Sequence, residues 1–125
     1  MNYFDLEYAL LVHDLVIEES GGSAGIKDEG QLDSVLTHIQ NDIYYPTFED
    51  KLTHLMFSII QFHMFIDGNK RTALLLGSYF LDLNHYTYYI DNFIVEMEDV
   101  VVGVASGIID KSALNRIIRN LLEIQ

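Results

Sequence analysis

The chain has 125 residues, half of them apolar and 21% charged, with a formal net charge of -12 at pH 7 and no cysteine. This is the composition of a folding chain rather than a disordered one, and the length is expected as a single domain over residues 1–125. The missing cysteines exclude disulfides, thiolate metal sites and cysteine nucleophiles. The acidic balance disfavours nucleic acid and anionic membrane as partners and leaves basic protein surfaces. The start, Met1-Asn2-Tyr3-Phe4-Asp5, lacks the cationic and apolar stretches of a signal peptide. No apolar run reaches the roughly 18 residues of a membrane span, and a reducing, cytoplasmic setting is compatible with these features.

The hydrophobic spacing predicts an all-α chain of about six helices. Asp5 is placed to cap a first helix carrying Leu6, Ala9, Leu10, His13 and Ile17, which Gly21-Gly22 stops. Ser23 to Lys27 reads as a loop. Asp28 and Gln31 form a capping-box pattern before Leu32, Val35, Leu36 and Ile39. Pro46 pushes Tyr45 out of the helical region, so Tyr44 to Thr47 breaks the chain. A third helix is expected from Glu49 to Phe65, with Leu52, Leu55, Met56, Ile59, Ile60 and His63 along it. A turn, Ile66-Asp67-Gly68-Asn69, follows. Lys70 to Asn84 is apolar almost all round, as in the central helix of a bundle. Tyr86 to Ile90 is β-prone and is expected as a short edge strand or an extended loop. Asp91 or Asn92 is the expected cap of a fifth helix ending near Ser106-Gly107, and Asp110 that of a last one through Leu122.

One stretch departs from this helical grammar: His63-Met64-Phe65-Ile66-Asp67-Gly68-Asn69-Lys70-Arg71. The first amides of a helix have no internal partner and carry positive partial charge, which makes that end an anion site. Two cations there, Lys70 and Arg71, sit at the unfavourable end of the dipole and imply an anion that offsets them. Gly68 permits the bend and a close ligand approach, and Asn69 is expected to cap the helix. Arg71 offers a planar fork for phosphate and Lys70 a point charge. Asp67 would repel a bare phosphate, but it fits a Mg²⁺ ion shared with phosphate oxygens. His63 can accept a proton from an attacking hydroxyl. Each feature alone has an ordinary structural explanation. A lone histidine at a helix end is usually packing, and Asp-Gly is usually only a turn. Their combination within nine residues favours a nucleotide-phosphate site.

The pattern His-x-Phe-x-Asp-Gly-Asn-Lys-Arg resembles the signature of the Fic/Doc family, and its Lys70 matches the Doc (death-on-curing) branch. The resemblance extends over Val12-His13-Asp14, Gly21-Gly22, Gly25 to Gly30, Thr72-Ala73-Leu74 and Val102 to Gly107. It implies a compact helical Fic/Doc bundle with His63 as general base. Phe65 would anchor the loop, and Asp67 would hold Mg²⁺ on the nucleotide. Gly68, Asn69 and Lys70 would form the anion pocket, with Arg71 on phosphate. Ser23 to Lys27 would align an extended target segment by main-chain pairing. The Doc branch further implies an ATP-dependent protein kinase toxin that phosphorylates a threonine of elongation factor Tu and is restrained by a small antitoxin. Fic proteins with glycine at the position of Lys70 transfer AMP instead, so adenylyl transfer is the alternative chemistry, and a catalytically silent interaction module is the alternative class. The internal inhibitory motif Ser/Thr-x-x-x-Glu-Gly/Asn of other Fic proteins is not found. Its nearest fragment, Glu29-Gly30, has Gly25 where a hydroxyl residue belongs. Met64 is a harmless departure, whereas Glu18 and Glu19 stand where Doc proteins can carry basic and aromatic residues, and Glu19 would repel phosphate. His13 reads as a packed core residue. His38, His54 and His85 show no metal-ligand spacing.

Overall fold

A computed structural model describes residues 1–124 of the chain. Six α-helices are seen: α1 (Leu6–Ser20), α2 (Glu29–His38), α3 (Phe48–Gln61), α4 (Asn69–Leu83), α5 (Ile90–Ala105) and α6 (Lys111–Leu121). Among the described residues there is no strand, only an isolated antiparallel bridge between Ile26 and Phe65. The architecture is all-α, as the hydrophobic periodicity predicts. None of these helices is long and apolar enough to cross a membrane.

Four helices start where short polar side chains can accept an orphan amide. Asp5 accepts from the amide of Tyr8, Asp28 from Gln31, Thr47 from Asp50 and Asp110 from Ala113. α3 and α4 form the centre, burying Leu52, Leu55, Met56 and Ile59 on one side and Ala73, Leu76, Phe80 and Leu81 on the other. Each of these side chains larger than alanine contributes roughly 1.5–3 kcal/mol by leaving water. A side chain at Gly77 would meet Met56 Sδ at 2.8 Å, so glycine sets how closely these two helices approach. Lys51, at 1% exposure, is buried beside them. Its ammonium donates to the Ile39 carbonyl and to Asp42, each at 2.7 Å, and so ties the end of α2 to α3.

The structure corrects four local expectations. The third helix stops at Gln61, not Phe65. His63 takes the left-handed conformation (φ 45°), its amide bonds the Ile60 carbonyl, and the Met64 amide reaches back to the Ile59 carbonyl. This is a Schellman ending with histidine in the position glycine usually fills, and buried Met64 and Ile59 are its apolar pair. The fourth helix begins one residue early, and Asn69 is its first residue rather than its cap. Residues 86–90 are not extended: Thr87–Tyr89 is a 3-10 turn running into α5. No strand lies beside this segment to reward its β-propensity, and the Tyr86 ring instead stacks on Phe48 with centroids 4.5 Å apart. Because that turn feeds directly into α5, Tyr89 is the cap position and Asp91 falls inside the first turn, so neither Asp91 nor Asn92 caps.

Candidate active site at the start of helix α4

Helix α4 opens differently from the four capped helices. Its cap position is Gly68, left-handed (φ 75°), and no side chain closes the first turn. A Cβ there would meet Ile17 Cδ1 at 3.2 Å and Val16 Cγ1 at 3.3 Å, a tight fit, and the left-handed backbone favours glycine. The turn packs against α1, and its first amides stay unblocked by protein side chains.

Asn69 fixes the turn from inside. Its Oδ1 accepts from the Phe65 amide at 2.8 Å, and its Nδ2 donates to the Phe65 carbonyl at 2.9 Å. The residue expected to cap α4 thus closes a ring across the loop instead. Phe65 is fully buried, and its ring stacks on His13 with centroids 3.9 Å apart and planes 7° from parallel. His13 Nε2 lies 2.7 Å from the Asp67 carbonyl oxygen. A carbonyl can only accept, so Nε2 carries the proton. His13 is therefore a packed residue, as the sequence suggests, and also a positioning contact for the loop, which sequence periodicity does not disclose.

The Asp67 carboxylate is held by two backbone amides, those of Gly68 at 2.9 Å and Ser23 at 3.2 Å. Each bond uses one oxygen and leaves further lone pairs, and Asp67 lines a cavity together with Lys70 and Arg71. Among the described residues there is no group of three or more His, Cys, Asp or Glu that could cage a metal. That donor set suits Mg²⁺, which commonly takes one or two carboxylates, substrate phosphates and water rather than an all-protein cage.

The cavity measures about 350 Å³ and is lined by Asp67, Gly68, Asn69, Lys70 and Arg71, with Leu74 behind them and Glu98, Val101 and Val102 from α5. Five of the expected site residues therefore share one wall. Phe65 lies beneath the loop rather than on the cavity. His63 is exposed, at the α3 end of the same loop, and is not part of the cavity wall. The α5 residues were not anticipated: they lie about thirty positions downstream, and nothing local in Glu98-x-x-Val101-Val102 signals a ligand. Glu19, expected to repel phosphate, and its neighbour Glu18 are exposed on α1 and do not line the cavity.

On the α1 side, Gly25 and Lys27 pair with the motif. The Ile66 amide donates to the Gly25 carbonyl at 3.1 Å, and the Lys27 amide donates to the Met64 carbonyl at 3.0 Å. In such an antiparallel bridge the amide and carbonyl of the middle residue, Ile26, face the opposite side.

Residues 3–81 match the sequence model of the Fic/DOC family. The chain is 30% identical over 125 residues to "Protein kinase doc" of Escherichia phage P1, covering 97% of this chain and 96% of that protein. It is 32% identical over 108 residues to "Toxin Doc" of Mycolicibacterium smegmatis, covering 83% of this chain and 81% of that one. A match of this extent, centred on a turn built as described, settles the kinship: the chain belongs to the Fic/DOC family.

Proposed function

We propose that the protein is a Doc-like toxin, a nucleotide-dependent transferase that moves the γ-phosphate of ATP onto a Ser/Thr hydroxyl of another protein. The observation that carries this reading is the open start of α4, where Lys70 and Arg71 line one cavity with unblocked amides. Such an end holds phosphate by backbone donors and by the helix dipole, and Arg71 adds bidentate bonds. Lys70 stands in the cavity where the family's AMP-transferring members have glycine. A lysine side chain there occupies room that an α-phosphate would need, which favours the orientation that brings the γ-phosphate toward His63.

In this reading His63 takes the proton of the target hydroxyl as its oxygen attacks the γ-phosphorus. The bond from the γ-phosphorus to the bridging oxygen breaks, and ADP leaves. Asp67 would hold Mg²⁺, which when bound neutralises phosphate charge. Asn69 and His13 keep the loop in register, the first through Phe65 and the second through the Asp67 carbonyl. The outward face of Ile26 offers main-chain groups to an extended target segment. The target we infer is elongation factor Tu, from the motif's family resemblance, with translation arrest as outcome, a small antitoxin as restraint and the cytoplasm as setting. The name "Toxin Doc" of one relative supports the toxin role, and "Protein kinase doc" of the other supports phosphate transfer.

Intact-mass analysis of elongation factor Tu after incubation with the protein and Mg·ATP tests the assignment. A phosphate increment is expected. An AMP increment would replace the kinase reading with the adenylyltransferase one. If Mg·ATP titration gave no binding heat, the nucleotide reading itself would fail.

A further inference from the structure

A second group of titratable side chains lies apart from the α4 turn, in a cleft between α3, the start of α6 and the loop before α3. Lys111 Nζ sits 2.8 Å from His54 Nδ1, and His54 Nε2 lies 3.2 Å from the Tyr45 hydroxyl. The Tyr45 and His54 rings stack with centroids 4.4 Å apart, and the Lys111 ammonium rides 5.6 Å from the Tyr45 ring centre. An ammonium only donates, so Nδ1 must be the acceptor and Nε2 carries the ring proton toward the tyrosine oxygen. The adjoining cleft, about 510 Å³, is lined by Tyr44, Thr53, Ser112 and Asn115 among others. None of these residues belongs to the α4 site.

We propose that Lys111 is the chain's preferred site of acylation by small acyl phosphates, with the His54 imidazole as the local proton acceptor. The chain has four lysines. Lys51 is sequestered at 1% exposure with both its partners in place. Lys27 and Lys70 are exposed, and no imidazole lies within bonding distance of either. Lys111 alone joins an accessible amine to a neutral imidazole at hydrogen-bond distance and to a cleft with room for an acyl group. Burial holds the Lys111 ammonium below the usual lysine range, with Asp50 opposing that shift. Burial also pushes His54 down to about 4, helped by the charges of Lys111 and His38, so its Nδ1 is unprotonated at neutral pH and can accept from Lys111. Asp110 precedes Lys111, but its carboxylate is engaged by the Ala113 amide.

The chemistry balances without a further reagent. The ammonium gives one proton to water, and the free amine attacks the acyl carbonyl carbon, forming a C–N bond. The C–O bond to phosphate breaks and inorganic phosphate leaves with the electron pair. The remaining excess proton on nitrogen passes to His54 Nδ1 and on to solvent. The Ser112 hydroxyl lining the cleft accepts from Arg116 and keeps its own proton to donate to a phosphate leaving group, whereas the Asn115 amide is already spent on Asp50 and Thr53.

The test uses the wild-type full chain with limiting acetyl phosphate and peptide mapping by a protease that does not cut at lysine. Lys111 should be acetylated roughly threefold or more faster than Lys27, since each unit by which an amine's pKa falls raises the free-amine fraction about tenfold at neutral pH. Its rate–pH profile should also rise at lower pH than that of Lys27. Equal or slower labelling of Lys111, or coincident profiles, would overturn the assignment. A His54→Leu variant with unchanged circular dichroism should bring the Lys111 rate toward that of Lys27; a rate left at the wild-type value would remove His54 from the account.

Discussion

Helices α4 and α6 both begin with lysine in their first turn, yet they finish the turn in opposite ways. At α6 the Asp110 carboxylate takes the Ala113 amide at 2.8 Å, and Lys111 swings away to His54. At α4 the cap position is a left-handed glycine with no carboxylate, and both Lys70 and Arg71 face the cavity. A helix start closed by its own side chain has satisfied its local electrostatics and needs nothing from outside. One left open with two cations beside it is incomplete until an anion arrives. Position in the chain does not separate these two starts; the residue before the first turn does.

The largest expected effect tests whether the open start serves catalysis. His63→Ala should cut phosphate transfer by roughly 10²–10⁴-fold, the usual worth of a positioned general base, and should abolish growth inhibition while circular dichroism stays helical. Equal toxicity of the variant would break the catalytic account. Gly68→Asp brings a carboxylate to the start of α4, as at α6, though directed at Val16, Ile17 and His13 rather than over the amides, and its negative charge opposes an incoming phosphate. Mg·ATP binding measured by calorimetry should vanish. Stability in urea should fall by about 1–2 kcal/mol, because the left-handed backbone and the Val16 and Ile17 contacts resist a side chain.

The α6 side responds to acid. The His54 pKa falls from 6.5 unfolded to about 4 folded, so the unfolded chain binds the proton more readily. The associated stability is fully present above pH 6.5 and is lost as pH drops toward 4, by about 1–2 kcal/mol after allowance for solvent screening. Thermal melts across that window should show the slope in wild type and a smaller one in His54→Leu. Asp110→Ala gives the smallest change, about 1 kcal/mol from the lost cap. It should leave Mg·ATP affinity unaltered, although it opens the start of α6 much as α4 is opened.

Much of this arrangement is legible in the residues. Three of the four side-chain caps, Asp5, Asp28 and Asp110, are expected where short polar residues precede apolar periodicity, whereas Thr47 is read only as part of the break at Pro46; the nine-residue motif marks the turn at which α4 opens. The misread points share a cause. Asn69 looks like a cap in one dimension, but its amide is claimed by Phe65 across the loop. His63 ends α3 in a glycine-like conformation that histidine adopts more often than most residues but that its sequence neighbours do not signal. His85 and Glu123 do the same after α4 and α6, so the left-handed backbone alone does not mark a functional residue. Residues 86–90 have the composition of a strand but no strand to join. Glu98, Val101 and Val102 reach the cavity only because α5 packs against α4.

The ring closed by Asn69 on both backbone groups of Phe65 carries an evolutionary consequence. It spans a fixed interval of chain, so drift in this loop is free in side-chain identity at exposed Ile66 but closed to any change in length. A one-residue insertion between Phe65 and Asn69 would unseat the ring even if every motif letter survived. Homologous loops should therefore vary by substitution and hardly ever by indel.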